Sequence, residues 1–222
     1  MIIAIDGPAG SGKSTIAKLL AENLNIEYID SGAIYRTITL FGLNSYTNGC
    51  EGNEAAIYEQ LNSDTSKITI TYEDHTQIMW LEGKNVSKAI RDPKVTVQVK
   101  YIADHQDCRD LVNQHIRKIA EEYPVVIDGR DIGTIVFPDA KFKFYLDADS
   151  IVRSERRAKE LGVPLKSEAF EELVQNIKSR DKADMERTIA PLKKADDAIY
   201  IDTSDLGIQN VLDEILVSIN GS

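Results

Sequence analysis

Gly7, Gly12, Lys13 and Ser14 stand in the spacing G-x-x-x-x-G-K-S within "GPAGSGKST". Residue types at these intervals build a phosphate cradle. Glycines let successive N–H groups turn inward as an anion nest, and a helix that begins at the lysine adds its free N-terminal donors. In such a loop Gly7, Pro8, Ala9, Gly10, Ser11, Gly12, Lys13, Ser14 and Thr15 surround the phosphates of a nucleoside triphosphate. Lys13 reaches the β- and γ-phosphates, and Ser14 offers an oxygen to Mg2+. The alternative is a glycine-rich turn carrying an exposed lysine. The flanks argue against it, because the apolar run "MIIAI" precedes the loop and "TIAKLLAENL" repeats Ile16, Leu19, Leu20 and Leu24 at helical spacing. The order is therefore strand, loop, helix.

Arginines and acids form the second set. "YIDSGAIYR" puts Ser31 just after a strand and Tyr35 and Arg36 on the helix that follows. "VVIDGRDIGT" puts Asp128 at the end of an apolar strand, where a P-loop protein often holds the acid that orders Mg2+, directly or through water. Arg130 and Asp131 follow it, and a salt-bridged turn is their other reading. Farther on, Arg153, Arg156, Arg157, Arg180, Asp184 and Arg187 lie on helical patterns. Arg180, Asp184 and Arg187 fall at i, i+4 and i+7, so one face presents two guanidinium groups around a carboxylate. Spacing alone leaves a solvated charged face equally open. Phosphoryl transfer supplies a use for such groups, since an arginine aimed at the transition state is worth about 10³ to 10⁵ in rate.

The elements that must position these residues follow from pattern. Apolar runs "IIAI", "IEYI", "VVID", "FKFYL" and "AIYID" alternate with helical stretches, which predicts an α/β fold with five core strands in a parallel sheet. In such a sheet ligands lie beyond the carboxyl ends of the strands, so Gly7, Asp30, Ser31 and Asp128 to Asp131 should gather at one edge. The last helix shows Ile208, Val211, Leu212, Ile215, Leu216 and Ile219 on one face, with Ser204 and Asp205 placed to cap its start. "KITITY" and "QIMWLEG", joined by "EDHT", read as two antiparallel strands, and "KNVS" adds a short third. This small inserted sheet covers about residues 62 to 90. Trp80 within it reads as packing for that sheet rather than a platform for a base.

Composition narrows the classes. A chain of 222 residues with 42% hydrophobic content can bury one substantial core with small insertions beside it. A net charge of −10 argues against a general nucleic-acid or membrane-surface binder, so an anionic ligand must meet local arginines. Cys50, Cys108, His75, His105 and His115 show neither a disulfide framework nor zinc spacing. Asp6 interrupts the N-terminal apolar run after five residues, so no signal peptide is expected, and no stretch reaches the length of a membrane span. The expectation is a cytoplasmic protein without a membrane or polymeric nucleic-acid partner.

"IAIDGPAGSGKST", "YIDSGAIYR", "VVIDGRDIGTIVFPDA", "SRDKADMER" and "IAPLKKADDAIYID", in this order over nearly the whole chain, resemble the bacterial type of cytidylate kinase. Shikimate and adenylate kinases share the P-loop but not D-S-G-A-x-Y-R followed by D-G-R-D-x-G-T. The resemblance implies a nucleoside monophosphate kinase fold: a core of residues 1–33, 101–152 and 167–222, a monophosphate-binding insertion at 34–100 and a short helical lid at 153–166. It implies transfer of the γ-phosphoryl of ATP, with Mg2+, to CMP or dCMP; a monomer is expected. By similarity Arg36, Arg130 and Arg187 hold the acceptor phosphate or the transferring group. Ser31, Arg109 and Asp131 surround the cytosine, Arg180 and Asp184 meet the sugar, and Arg153 and Arg157 close over the polyphosphate. One departure is Lys100, which aligns where the family usually has a serine that touches the base. The other readings are a P-loop kinase for UMP, AMP or a non-nucleotide alcohol, and a nucleotide-binding regulatory module without turnover. A switch GTPase is disfavoured, because the chain has no N-K-x-D signature.

Overall fold

The computed structural model describes residues 1–221. All five apolar runs form strands: β1 (Ile2–Asp6), β2 (Glu27–Asp30), β6 (Val125–Gly129), β7 (Phe142–Asp147) and β8 (Ile199–Asp202). They make one parallel sheet in the order β2-β6-β1-β7-β8. Between β2 and β6 in the chain, β3 (Ile68–Glu73), β4 (Thr76–Leu81) and β5 (Lys84–Asn85) form a separate sheet, antiparallel in both pairings, in the order β3-β4-β5. The chain divides into two compact units, Met1 with Asn25–Val125, and Ile2–Leu24 with the chain from Val126 on.

In the second unit β1 pairs β7 from Ile3↔Phe142 to Asp6↔Tyr145, and β7 pairs β8 from Phe144↔Ile199 to Asp147↔Asp202. Ile3, Ile5, Ile127, Phe144 and Leu146 are fully buried, as a sheet covered by helices requires. Helix α1 (Lys13–Leu24) buries Ile16, Ala17, Leu20 and Ala21 and packs on α8 (Ile208–Asn220), which buries Val211, Leu212 and Ile215. Ile208 stays exposed. The expected cap of α8 is not the one used. Gly207 holds the N-cap position without a side-chain bond, because the Ser204 hydroxyl instead accepts from the Asp149 amide at 2.9 Å. That amide belongs to the N-cap of α6 (Ser150–Leu161), whose Asp149 side chain accepts from Ile151 N. Gly162 ends α6 in the left-handed conformation, φ +68°, where glycine is favoured. Helix α7 (Glu168–Glu186) starts at Ser167, whose hydroxyl caps Phe170 N, and packs against α6.

In the first unit α2 (Ser31–Ser45), α3 (Glu54–Ser63), α4 (Pro93–Ala103) and α5 (Gln106–Glu122) enclose Ile34, Ile38, Ile57, Leu61, Ile102, Val112 and Ile116. The β3-β4 hairpin turns through Asp74 (φ +47°) and His75 (φ +59°), the paired positive angles of a tight two-residue connection. Met79 and Leu81 face inward on β4, while Trp80 is half-buried on the other face and donates from Nε1 to Thr71 Oγ1 at 2.8 Å. Cys50 and Cys108 are buried free thiols. Among the described residues no helix is long and apolar enough to cross a membrane.

Candidate active site

The glycine loop is shaped by what passes beside it. A Cβ at Gly7 (φ +146°) would lie 1.9 Å from the Leu146 carbonyl oxygen on β7, so no side chain fits there. A Cβ at Gly10 (φ +79°) would meet Arg153 Cβ at 3.2 Å, where α6 crosses the loop. The Thr203 hydroxyl, after β8, donates to the Ser11 carbonyl at 3.1 Å and braces the loop from the other side.

Lys13 opens α1 and folds back over the loop, donating from Nζ to the Pro8 carbonyl at 2.6 Å. It is only 4% exposed. Burial first, and the Arg130 guanidinium next, pull its pKa from an ordinary 10.5 down to about 7, against Asp128 and Asp6, while Arg180 adds to the repulsion. A buried ammonium crowded by two guanidinium groups is a site short of negative charge, and a polyphosphate supplies it. Ser14 Oγ donates to Asp128 Oδ2 at 2.7 Å, joining two hard oxygen ligands beside the loop. Among the described residues no group of three or more His, Cys, Asp or Glu could hold a metal ion. A hydroxyl and one carboxylate still fit Mg2+, which takes few protein ligands and completes its shell with phosphate oxygens and water.

A second cluster lies in the same unit. Arg130 Nε donates to Asp184 Oδ2 on α7 at 2.9 Å. Arg187, the residue that ends α7, approaches Asp184 Oδ1 at 3.9 Å and Asp131 Oδ1 at 3.7 Å. Asp184 is thus shared by two arginines, and Arg187 also meets Asp131; Arg130 and Asp131 follow β6, while Asp184 and Arg187 lie at the end of α7. Arg180 is exposed one turn before Asp184. Arg153 is buried: its Nε donates to the Ala148 carbonyl at 2.9 Å, and its Nη1 reaches the Ala9 carbonyl at 3.0 Å and Asp181 Oδ2 at 2.6 Å. Arg157 is exposed and pairs with Glu160 on its own helix.

The remaining predicted residues sit in the first unit. Asp30 caps α2, with Oδ1 accepting from Ala33 N at 2.9 Å and Oδ2 paired with Arg91 at 2.6 Å. Gln77 of β4 fixes that corner by accepting from Asp30 N at 2.7 Å. Ser31 is therefore the buried first residue of a capped helix, where the helix dipole favours polar and anionic ligands. Arg36 donates to Gly32 O, one turn back on the same helix, at 3.0 Å. Arg109 on α5 is 2% exposed, donates to the Ala103 carbonyl at 2.9 Å and lies 5.4 Å from the Tyr35 ring centroid. Lys100, near the end of α4, is exposed, with its ammonium 4.7 Å from the Tyr101 ring centroid.

Asp6, Asp181, Thr203, Gln77 and Arg91 hold these elements but were not among the residues expected from sequence. Asp6 had a signal, since it ends an apolar strand as Asp128 does. Asp181 had none, because its partner Arg153 lies 28 positions away and helical spacing cannot pair them.

A strand, a glycine loop and a helix headed by Lys13 and Ser14 in a chain with a five-stranded parallel sheet and a separate small antiparallel sheet define a P-loop enzyme of nucleoside monophosphate kinase architecture. Within that class the cytidylate kinase model matches residues 3–221, and the chain belongs to the cytidylate kinase family. It is 42% identical over 219 residues to a cytidylate kinase of Bacillus cereus, covering 99% of this chain and 96% of that one. A cytidylate kinase of Bacillus anthracis is 42% identical over 214 residues, covering 96% and 93%. The fold is also similar to the crystal structure of an uncharacterized protein from Eubacterium ventriosum, with a TM-score of 0.54 at 18% identity, covering 100% of this chain and 99% of that one.

Proposed function

We propose that the chain transfers the γ-phosphoryl group of ATP to CMP and dCMP, giving ADP with CDP or dCDP. The phosphate loop carries the reading: Lys13 lies buried over a glycine loop that passes too close to Leu146 for a side chain at Gly7, a cradle suited to the β- and γ-phosphates of the donor. The acceptor is already an anionic phosphate oxygen, so no strong general base is needed. That oxygen bonds to the γ-phosphorus as the bond to the bridging oxygen breaks, and ADP leaves with the electron pair.

The loop from Gly7 to Thr15 takes the donor phosphates. Ser14 and Asp128 would hold Mg2+, which when bound neutralises charge on the β- and γ-phosphate oxygens. Arg36, Arg130 and Arg187 take the acceptor phosphate and the moving group, with Arg153 and Arg157 on the donor polyphosphate. Ser31, Arg109 and Asp131 read cytosine, and Arg180 and Asp184 take the sugar. In this assignment the Arg130–Asp184 and Arg187–Asp131 pairs keep the arginines ordered before the acceptor arrives. Residues 1–33, 101–152 and 167–222 act as the core, 34–100 as the monophosphate-binding insertion, and 153–166 as a lid that excludes water from the transfer. The working form is a cytoplasmic monomer with small-molecule partners, and the net charge of −10 argues against nucleic-acid and membrane-surface partners.

A coupled ADP-release assay with CMP, dCMP, UMP and AMP tests the acceptor class. CMP and dCMP should give the highest kcat/KM, and a preference for UMP, for AMP or for none of the four would overturn the assignment.

A further inference from the structure

Asp6 ends β1, one residue before Gly7 of the phosphate loop. Its side chain is buried, and both oxygens are in use. Oδ1 accepts from the Ile132 amide at 2.9 Å and Oδ2 from the Gly133 amide at 2.7 Å. These amides open a single π-helical turn, Ile132–Val136, directly after Arg130 and Asp131 in the chain. The slot is tight: a Cβ at Gly133 would stand 3.4 Å from Asp6 Oδ2 and 3.3 Å from Lys143 Cδ. One carboxylate therefore pins the segment that carries Arg130 to the strand that leads into the phosphate loop.

We propose that Asp6 is a positioning residue for phosphoryl transfer, fixing the Arg130–Asp131 segment relative to the donor cradle through the two backbone amides. This rests on the acceptor-side roles given above to Arg130 and Asp131. Asp6 itself touches neither substrate. It matters because a displacement of about 1 Å at a reacting centre lowers a rate on the order of 10²-fold. Only an ionised carboxylate serves both amides without conflict. A protonated carboxyl or an asparagine places a donor against one of the N–H groups.

The charge state of Asp6 is itself poised. Burial pushes its pKa up to about 6, while the Gly133 and Ile132 amides pull it down. Asp131 adds to the rise and Lys13 opposes it. Tyr145, one strand over on β7, feels the Asp6 charge as well, and Lys143 packs on Gly133 from the same strand.

The test compares Asp6→Asn with the wild type and with Arg130→Ala. For Asp6→Asn, kcat with CMP should fall about tenfold or more per folded enzyme, while the affinity for ATP with Mg2+, titrated alone by calorimetry, changes less than about twofold. If that variant does not fold, Asp6→Glu, which keeps the carboxylate but moves it by one methylene, takes its place and should show the same loss of kcat with ATP affinity unchanged. Unchanged kcat in Asp6→Asn, or in Asp6→Glu where the asparagine variant does not fold, would overturn the positioning role. If Arg130→Ala keeps normal CMP kinetics while Asp6→Asn is impaired, the acceptor-side reading of Arg130 fails, and with it the positioning role assigned to Asp6.

Discussion

Lys13→Met removes the ammonium but keeps an unbranched chain of similar length, and it should separate stability from activity. Lowering the pKa of Lys13 from 10.5 to about 7 means that the folded, nucleotide-free protein holds the charged form at a penalty of roughly 5 kcal/mol, at about 1.4 kcal/mol per pH unit. Against this, the variant leaves the Pro8 carbonyl without its 2.6 Å donor, a loss of about 1–3 kcal/mol. The net is a gain of about 2–4 kcal/mol at pH 7, and for a chain of this size that raises Tm by roughly 4–16 °C. The sign with pH follows from proton counting. Between pH 7 and 10.5 the unfolded chain keeps the lysine proton that the folded one releases, so wild-type stability from this group rises with pH. The advantage of Lys13→Met should therefore shrink toward pH 10. Phosphoryl transfer should fall about 10²-fold or more, since the charge that follows the moving phosphoryl is gone. Thermal melts of both proteins without nucleotide, at pH 7 and pH 10, check this. A Lys13→Met protein that melts below the wild type at pH 7 would refute the electrostatic account of the loop.

Gly7→Ala should abolish ATP binding and lower Tm, because its Cβ meets the Leu146 carbonyl at 1.9 Å and the backbone must move; calorimetry with ATP and Mg2+ reads this directly. Asp184→Ala should raise KM for CMP and destabilise the protein by about 1–3 kcal/mol, since Arg130 and Arg187 lose a shared carboxylate. Steady-state kinetics and a melt measure the two effects. Lys100→Ser should leave the ratio of kcat/KM for CMP over UMP within about threefold of the wild type, because Lys100 is exposed and rests on Tyr101 rather than in a buried base site. A large gain in CMP selectivity would mean that Lys100 faces the base.

The five core strands and the glycine loop were readable because their signals are local. "IAID", residues 3–6, is buried at every position, and G-x-x-x-x-G-K-S carries its own geometry in consecutive residues. The small sheet was equally open to reading, since β-branched residues alternate on either side of a two-residue polar turn. The cap of α8 was missed for a tertiary reason: Ser204 is a good capping residue but finds the Asp149 amide, 55 positions away, instead. The same limit hid the buried partnership of Arg153 with Asp181 and the grip of Asp6 on Ile132 and Gly133, 126 and 127 positions distant. Residue type placed these groups at strand ends and on helices, but only the folded chain pairs them.

The most direct test follows the phosphoryl group itself. With ATP labelled on the γ-phosphate, Mg2+ and CMP, the account predicts that label appears in the β-phosphate of CDP, one equivalent for each ADP formed, and that without CMP almost no free phosphate is released. Label recovered as inorganic phosphate at a similar rate with or without CMP would contradict it.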